Sequence, residues 1–299
     1  MTTAKLLASY NNGNVSVLLF SDGTKVRSYA SDPLPVHPES IDLKITDWCD
    51  AGCVYCHEQS TIKGQHASVR SILEIVSSLP RGVEIAIGGG DPFSHPAIEI
   101  ILSEFAQLGL ISNVTVNGRH IERHSELIRS LRNKSLLYGL GVSFHEGMNL
   151  NLVANDNTIV HFIAGENKPA QAMKLMRYHP KILVLGYKRF GRGIKHHSDV
   201  TEKRLAEWRY WIGRIMRSGS VCFDNLALEQ LNVKRWLDED MWDRCFMGND
   251  GKFTMYVDAV RDEFAISSTS NRFKRNGRSA TEIFQTKPHV SLKDLAILL

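Results

Sequence analysis

Long apolar runs are missing from this chain. No stretch of its 299 residues approaches the ~18–20 consecutive hydrophobic residues that a membrane-crossing helix needs. Charge of one sign is equally scarce. Lys and Arg number 36 against 32 for Asp and Glu, and a net charge of +4 is too mild to argue by itself for a nucleic-acid partner. There are only five cysteines, an odd number and mostly clustered, which excludes a secreted disulfide scaffold. The opening MTTAKLLASYNNGN has one lysine and reaches a polar turn at once, so it does not read as a signal peptide, and the expected location is cytoplasmic. What is present is ordinary for a globular protein: 43% hydrophobic and 23% charged residues. That length and composition suit one large α/β domain, or a core domain with a small appendage, folding without disulfide staples.

The order of elements follows from hydrophobic period. LLASY, VSVLLF and KVRSYA, separated by the turn signals NNGN and SDGT, predict a small antiparallel sheet over residues 5–30. SDPLPVHPES then reads as a linker, which places an N-terminal extension at 1–35. Beyond it, strands are expected at 41–46, 83–88, 112–117, 136–144, 158–165 and 181–188. Helical spacing separates them at 69–79, 96–109, 124–133 and 170–178. Alternation of this kind predicts a parallel sheet with right-handed crossovers, either doubly wound or a partial barrel. Such sheets bind ligands at the carboxyl ends of their strands. The unusual residues fall at those ends.

The first strand leads into DWCDAGCVYCHEQ (47–59), which holds Cys49, Cys53 and Cys56 in a C-x3-C-x2-C pattern. Thiolates are soft ligands, and three at this spacing suit iron–sulfur or zinc. A [4Fe–4S] cluster normally takes four cysteines, so three leave one iron with an open position. A structural zinc would need His57 or a distant thiol, Cys222 or Cys245, as fourth ligand.

This loop, with Tyr55 just before its last cysteine, resembles the signature of the radical S-adenosylmethionine (radical SAM) enzymes. GGGDP at the end of the second strand resembles that family's glycine-rich GGE motif, with Asp91 in place of Glu. VTVNGRH, HFIAG and VLGYK fall where the family places further cofactor contacts, and the resemblance covers roughly residues 40–190. It implies a partial (β/α)6 TIM-like barrel. It also implies a [4Fe–4S] cluster on Cys49, Cys53 and Cys56, with S-adenosylmethionine on the fourth iron and a reductant such as flavodoxin or ferredoxin. One-electron cleavage of the sulfonium would then give methionine and a 5′-deoxyadenosyl radical that takes hydrogen from a second substrate. By the same resemblance, Gly88, Gly89 and Gly90 would present carbonyls to the methionine ammonium, with Asp91 adding charge. Tyr55 would pack near cluster and adenine, Asn117 and Ser143 would bond carboxylate and ribose, and Ile163, Gly165 and Tyr187 would line the adenine.

Lys188, Arg189, Arg192 and Lys195 form a basic loop after the sixth strand, suited to phosphate or carboxylate, while His120 and His145 fall on the same face. In the amphipathic segment 202–219, Leu205, Trp208, Trp211, Ile212 and Ile215 make one stripe, read as core. The last third, 220–299, resembles a SPASM or twitch subdomain that has lost its metal. Cys245 precedes its hairpin, Ser267 or Ser268 stands where a second cysteine would be, and Cys222 and Cys245 are expected as free buried thiols. This leaves a barrel over 36–219. The resemblance favours a peptide or protein side chain as second substrate. Alternatives are a nucleotide or nucleic-acid base, activation of a glycyl-radical partner, or a non-enzymatic zinc-binding interaction protein.

Overall fold

A computed structural model of the chain describes residues 4–179 and 181–286. The ends of the expected N-terminal extension (1–3) and C-terminal subdomain (287–299) lie outside the described residues.

The chain begins with β1 (Leu6–Asn12), β2 (Val15–Phe20) and β3 (Lys25–Ser28), an antiparallel three-stranded sheet joined by the expected Gly-containing turns. The barrel follows. It runs through β4 (Ser40–Thr46), α1 (Val69–Val76), β5 (Glu84–Gly89), α2 (Ile98–Gln107), β6 (Ile111–Asn117), α3 (Ile121–Asn133), β7 (Gly139–Ser143), β8 (Thr158–Ile163), α4 (Pro169–Leu175) and β9 (Lys181–Leu185). Next come α5 (Arg192–His196), α6 (Asp199–Met216), β10 (Ser220–Phe223), α7 (Asn225–Gln230), α8 (Glu239–Cys245), β11 (Thr254–Asp258), β12 (Glu263–Ala265), β13 (Phe273–Lys274) and α9 (Ala280–Thr286).

Strands β4 to β9 are parallel and adjacent in chain order, as the α/β alternation requires. The sheet does not stop with them. β10 adds in parallel beside β9, and β11 adds in parallel beside β4, with β12 and β13 antiparallel beyond it. The expected boundary at residue 220 therefore falls inside one ten-stranded sheet. Strand β11 arrives from far along the chain, and pairing at such separation leaves no local mark in the sequence.

Period-2 alternation sorts the strand residues into two faces. Outward residues such as Ile41, Leu43, Ile85, Ile87, Val114 and Val142 are buried under α1, α2 and α3. Those of β8 and β9 pack with Leu205, Trp208, Ile212 and Ile215 of α6. The stripe read as core is core, although Trp211 is only half-buried. Each such fully buried side chain contributes roughly 1.5–3 kcal/mol. The inward face is different. Asp42, Ala86, Asn113, Thr115, Gly141 and His161 line a cavity instead of a packed interior.

The small sheet closes the far end of that cavity. Lys25 pairs with Glu84 at 2.5 Å and the Tyr138 hydroxyl donates to the carbonyl of Phe20 at 2.9 Å, joining it to the starts of β5 and β7.

Candidate active site

The cysteine loop leaves β4 and returns along itself. The amide of Asp47 donates to the carbonyl of Gln65, and that of Cys49 to the carbonyl of Thr61. Its two ends are held by one buried cation. Lys44, on β4 with its side chain 2% exposed, contacts Asp47 at 2.5 Å before the cysteines, Glu58 at 2.9 Å after them, and Asp258 of β11 at 3.1 Å. Glu58 also accepts from the Tyr256 hydroxyl, 3.0 Å to each oxygen, and contacts His57 at 3.2 Å. Burial alone would lower the Lys44 ammonium, but the charges of Glu58 and Asp258 hold it raised. Burial would likewise raise Glu58, but His57 and Lys44 hold it far below the usual carboxylate range.

The middle of the loop is held from the opposite side. Arg192, at the start of α5, donates to the carbonyl of Cys53 at 3.1 Å and, through both terminal nitrogens, to that of Ser60 at 3.1 Å. Arg119 donates to the carbonyl of Ala51 at 3.0 Å. Sequence reading assigned Arg192 to an incoming anion. It is engaged with the loop instead.

Cys49, Cys53 and Cys56 all reach one cavity of about 550 Å³ that runs down the barrel. Two thiols accept hydrogen bonds from nitrogen: Cys53 from Asn117 Nδ2 at 3.4 Å, and Cys49 from the amide of Ala51 at 3.5 Å. Burial pushes the free Cys49 thiol up to about 11, so loading a metal there releases a proton. Around a single tetrahedral ion, sulfurs 2.3 Å from the metal lie only about 3.8 Å apart. Among the described residues, the trio whose ligand atoms all fall within 4.8 Å of one another is Asp91, His120 and His124, not the cysteines. The wider thiol spacing fits a multi-iron cluster better than one zinc ion.

The glycine run has divided labour. A Cβ on Gly90 would lie 2.1 Å from the carbonyl oxygen of Trp48, and one on Gly89, whose φ is +108°, would lie 2.4 Å from that of Thr46. These two glycines exist because the cysteine loop crosses them, donated to by the amides of Gly90 and Asp91. Gly88 alone faces open cavity, with nothing within 4 Å of its absent Cβ. It leaves backbone bare beside the thiols, as a closely held cofactor requires.

Of the expected cofactor contacts, Tyr55, Gly88, Gly89, Gly90, Asn117, Ser143, Ile163 and Tyr187 line the same cavity as the three cysteines. Asp91 and Gly165 do not. Asp91 turns behind the glycines, where its carboxylate meets His124 at 2.8 Å, Arg123 at 2.6 Å and Ser94 at 2.7 Å. Gly165 packs under the ring of Tyr187 and against Thr201. The Tyr187 hydroxyl donates to the carbonyl of Gly193 at 2.9 Å, so its ring is fixed. Tyr55 is raised by burial and by neighbouring Cys53, and stays protonated. The side-chain oxygen of Asn117 accepts from the Arg119 amide at 3.0 Å while its nitrogen serves Cys53, so both ends have protein partners.

Deeper in the barrel, sequence reading missed two groups. Asp42 and His161 reach the cavity from β4 and β8, and neither makes a side-chain hydrogen bond among the described residues. Both side chains are surrounded by the barrel wall yet reached by solvent through the cavity; that enclosure pushes Asp42 up to about 6 against the pull of Lys188, and holds His161 down at about 4 with help from the same lysine. A charged residue alternating with apolar ones in IDLKIT was the available signal. His145, by contrast, is half-buried beside Arg119 and does not line the cavity. Cys222 and Cys245, expected as buried thiols, are both exposed: β10 is an edge strand and turns Cys222 outward, and Cys245 ends a surface helix.

With this geometry, comparison with known proteins is direct. Residues 43–178 match the radical SAM superfamily, whose members use a [4Fe–4S] cluster and S-adenosylmethionine. Among solved structures, Streptococcus suis SuiB bound to its precursor peptide SuiA is 14% identical with a TM-score of 0.57, over 85% of this chain and 66% of that one. SuiB bound to S-adenosylmethionine is 12% identical with a TM-score of 0.58, over 85% of this chain and 67% of that one. This chain thus spans about two thirds of SuiB, and at these identities the likeness is one of fold. No curated protein matches the sequence.

Proposed function

We propose that the chain, whose residues 43–178 match the radical SAM superfamily, is a radical SAM enzyme that abstracts hydrogen from a side chain of a peptide or protein. One observation carries the reading. The three thiols, the bare face of Gly88 and the unpartnered Asp42 and His161 open onto a single cavity. Cys49, Cys53 and Cys56 would hold the cluster, and Gly88 with the β6 and β7 strand ends would cradle S-adenosylmethionine. The bound pair supplies reductive carbon–sulfur cleavage and a 5′-deoxyadenosyl radical. The protein's own part is to hold the thiol loop through Lys44 and Arg192, to exclude water with the barrel wall, and to orient the group that enters below.

Asp42 feels the cation Lys188 first and then the carboxylates of Asp250, Asp224 and Glu58, so the cavity carries charge of both signs and suits a polar side chain. Cations of the basic loop have internal partners: Arg189 pairs with Glu202 at 2.6 Å, and Lys188 donates to Ser268 at 2.6 Å. SuiB, of the same fold, was solved with its precursor peptide bound.

The test incubates reconstituted, dithionite-reduced protein with S-adenosylmethionine and scores 5′-deoxyadenosine. The wild type is expected to form it and a Cys53→Ala variant to form none. Candidate peptides should raise the yield and lose hydrogen by mass spectrometry. Stimulation by nucleotides or RNA and not by peptides would overturn the substrate assignment while leaving the enzyme class intact.

A further inference from the structure

We propose that Asp91, His120 and His124 form a second metal site, for one divalent transition-metal cation, behind the glycine turn and outside the cavity. One ligand atom from each residue lies within 4.8 Å of the others. The chain builds this convergence simply. His120 and His124 are four residues apart where the β6–α3 turn enters α3, so they share a face, and Asp91 lies two residues beyond the end of β5.

All three side chains are more than nine-tenths buried: Asp91 is 0% exposed, His120 7% and His124 8%. Two of their atoms have no hydrogen-bond partner, Asp91 Oδ1 and His120 Nδ1. A buried polar atom left unpaired costs roughly 1–3 kcal/mol, and a ligand between them would remove that cost. His120 bridges two carboxylates: its Nε2 lies 2.9 Å from Asp50 Oδ1 and its Nδ1 3.3 Å from Asp91 Oδ2. A carboxylate behind a ligating imidazole is the usual outer partner of a metal-bound histidine.

Two imidazoles and one carboxylate suit zinc, iron(II), cobalt or nickel, not magnesium or calcium.

One cation already sits there. Arg123 Nη2 lies 2.6 Å from Asp91 Oδ2, and the same guanidinium holds Asp50 at 2.7 and 3.0 Å. Arg123 is 41% exposed and can keep Asp50 while yielding Asp91. Because Asp50 stands between Cys49 and Cys53, a metal here would fasten the thiol loop to β5.

The experiment uses the full chain with Cys49, Cys53 and Cys56 changed to serine, so that no loop thiol competes. Cobalt(II) is titrated and followed by its visible absorbance, then zinc is titrated against a chromophoric chelator. One equivalent should bind, and His120→Gln or His124→Gln should each weaken it more than tenfold with the circular dichroism unchanged. Asp50→Asn should weaken it roughly 10–100-fold. Arg123→Met removes the competing cation and should tighten binding. No uptake by either the thiol-free chain or its Arg123→Met variant would overturn the proposal, as would uptake that survives His124→Gln.

Discussion

Replacing Lys44 with Met tests how the thiol loop is held. The new side chain is similar in length and apolar, so it fills the space and removes only the charge. Three carboxylates lose their shared cation: Asp47, Glu58 and Asp258. Removing one partner of a buried ion pair costs about 3–5 kcal/mol, because the remaining charge stays desolvated. Partial substitutes put this case at the lower end. Glu58 keeps Tyr256 and His57, Asp47 is 17% exposed, and Arg261 lies 3.7 Å from Asp47 and 3.9 Å from Asp258. A loss of about 3 kcal/mol corresponds to a fall in Tm of roughly 6 °C for a chain of this size.

Acid should narrow the gap. Glu58 titrates below its ordinary 4.5 in the folded protein, so its stabilisation is complete above that value and is lost as pH falls through the folded one. The variant lacks the Lys44 share of that stabilisation. The difference between the two proteins is therefore full at pH 7 and shrinks as the pH drops under about 4.5. The assay is anaerobic urea denaturation at pH 7 and pH 4, with iron per chain measured after reconstitution. A Lys44→Met midpoint equal to that of the wild type at pH 7, with iron unchanged, would refute the reasoning.

The glycine run gives a paired prediction. Gly90→Ala places a methyl 2.1 Å from the Trp48 carbonyl and should lower both Tm and iron content, whereas Gly88→Val should fold and bind iron but lose S-adenosylmethionine binding by calorimetry. For Asp42 the sign is opposite to that of Glu58. Its carboxyl is raised to about 6 from 3.8, so its ionisation destabilises the fold above that range and is without effect below the unfolded value. Asp42→Asn should therefore raise Tm at pH 8 and leave it unchanged at pH 3.5; equal shifts at both pH values would contradict this. Tyr256→Phe removes a hydroxyl that donates to an ionised carboxylate and should cost roughly 1.5–3 kcal/mol by urea denaturation.

The barrel was legible wherever a signal repeats locally. IDLKIT, VEIAIG and SNVTVN alternate, VRSILEIV has helical spacing with Ser68 as its cap, and the strands and helices formed there. The thiol loop was legible as a motif because its three cysteines lie within eight residues. What escaped was set by distance along the chain. Asp91 looked like a cofactor acid because its neighbours in sequence are glycines, yet its partners His120, Arg123 and His124 come from the next strand–helix turn. Their i,i+4 spacing was the signal that could have found them. Arg192 read as a surface cation because a loop sequence does not say which way it folds back, and here it folds onto Cys53 and Ser60. Lys44 was the clearest hint passed over: a lysine inside an apolar strand demands buried counter-charge.

The pairing of β11 with β4 also sets a timetable. Residues 254–258 are among the last of the described chain to be made, yet they supply Asp258 to Lys44 and Tyr256 to Glu58. On the ribosome, where a chain grows from its amino end, the thiol loop emerges early with its two anchoring carboxylates only half matched. It waits, loosely tethered, through the synthesis of about two hundred further residues. Iron offered during that interval meets a flexible loop; iron offered afterwards meets a finished socket. If the loop needs β11 to hold it, cluster delivery must follow completion of the fold, and a chain truncated before β11 should express yet stay colourless.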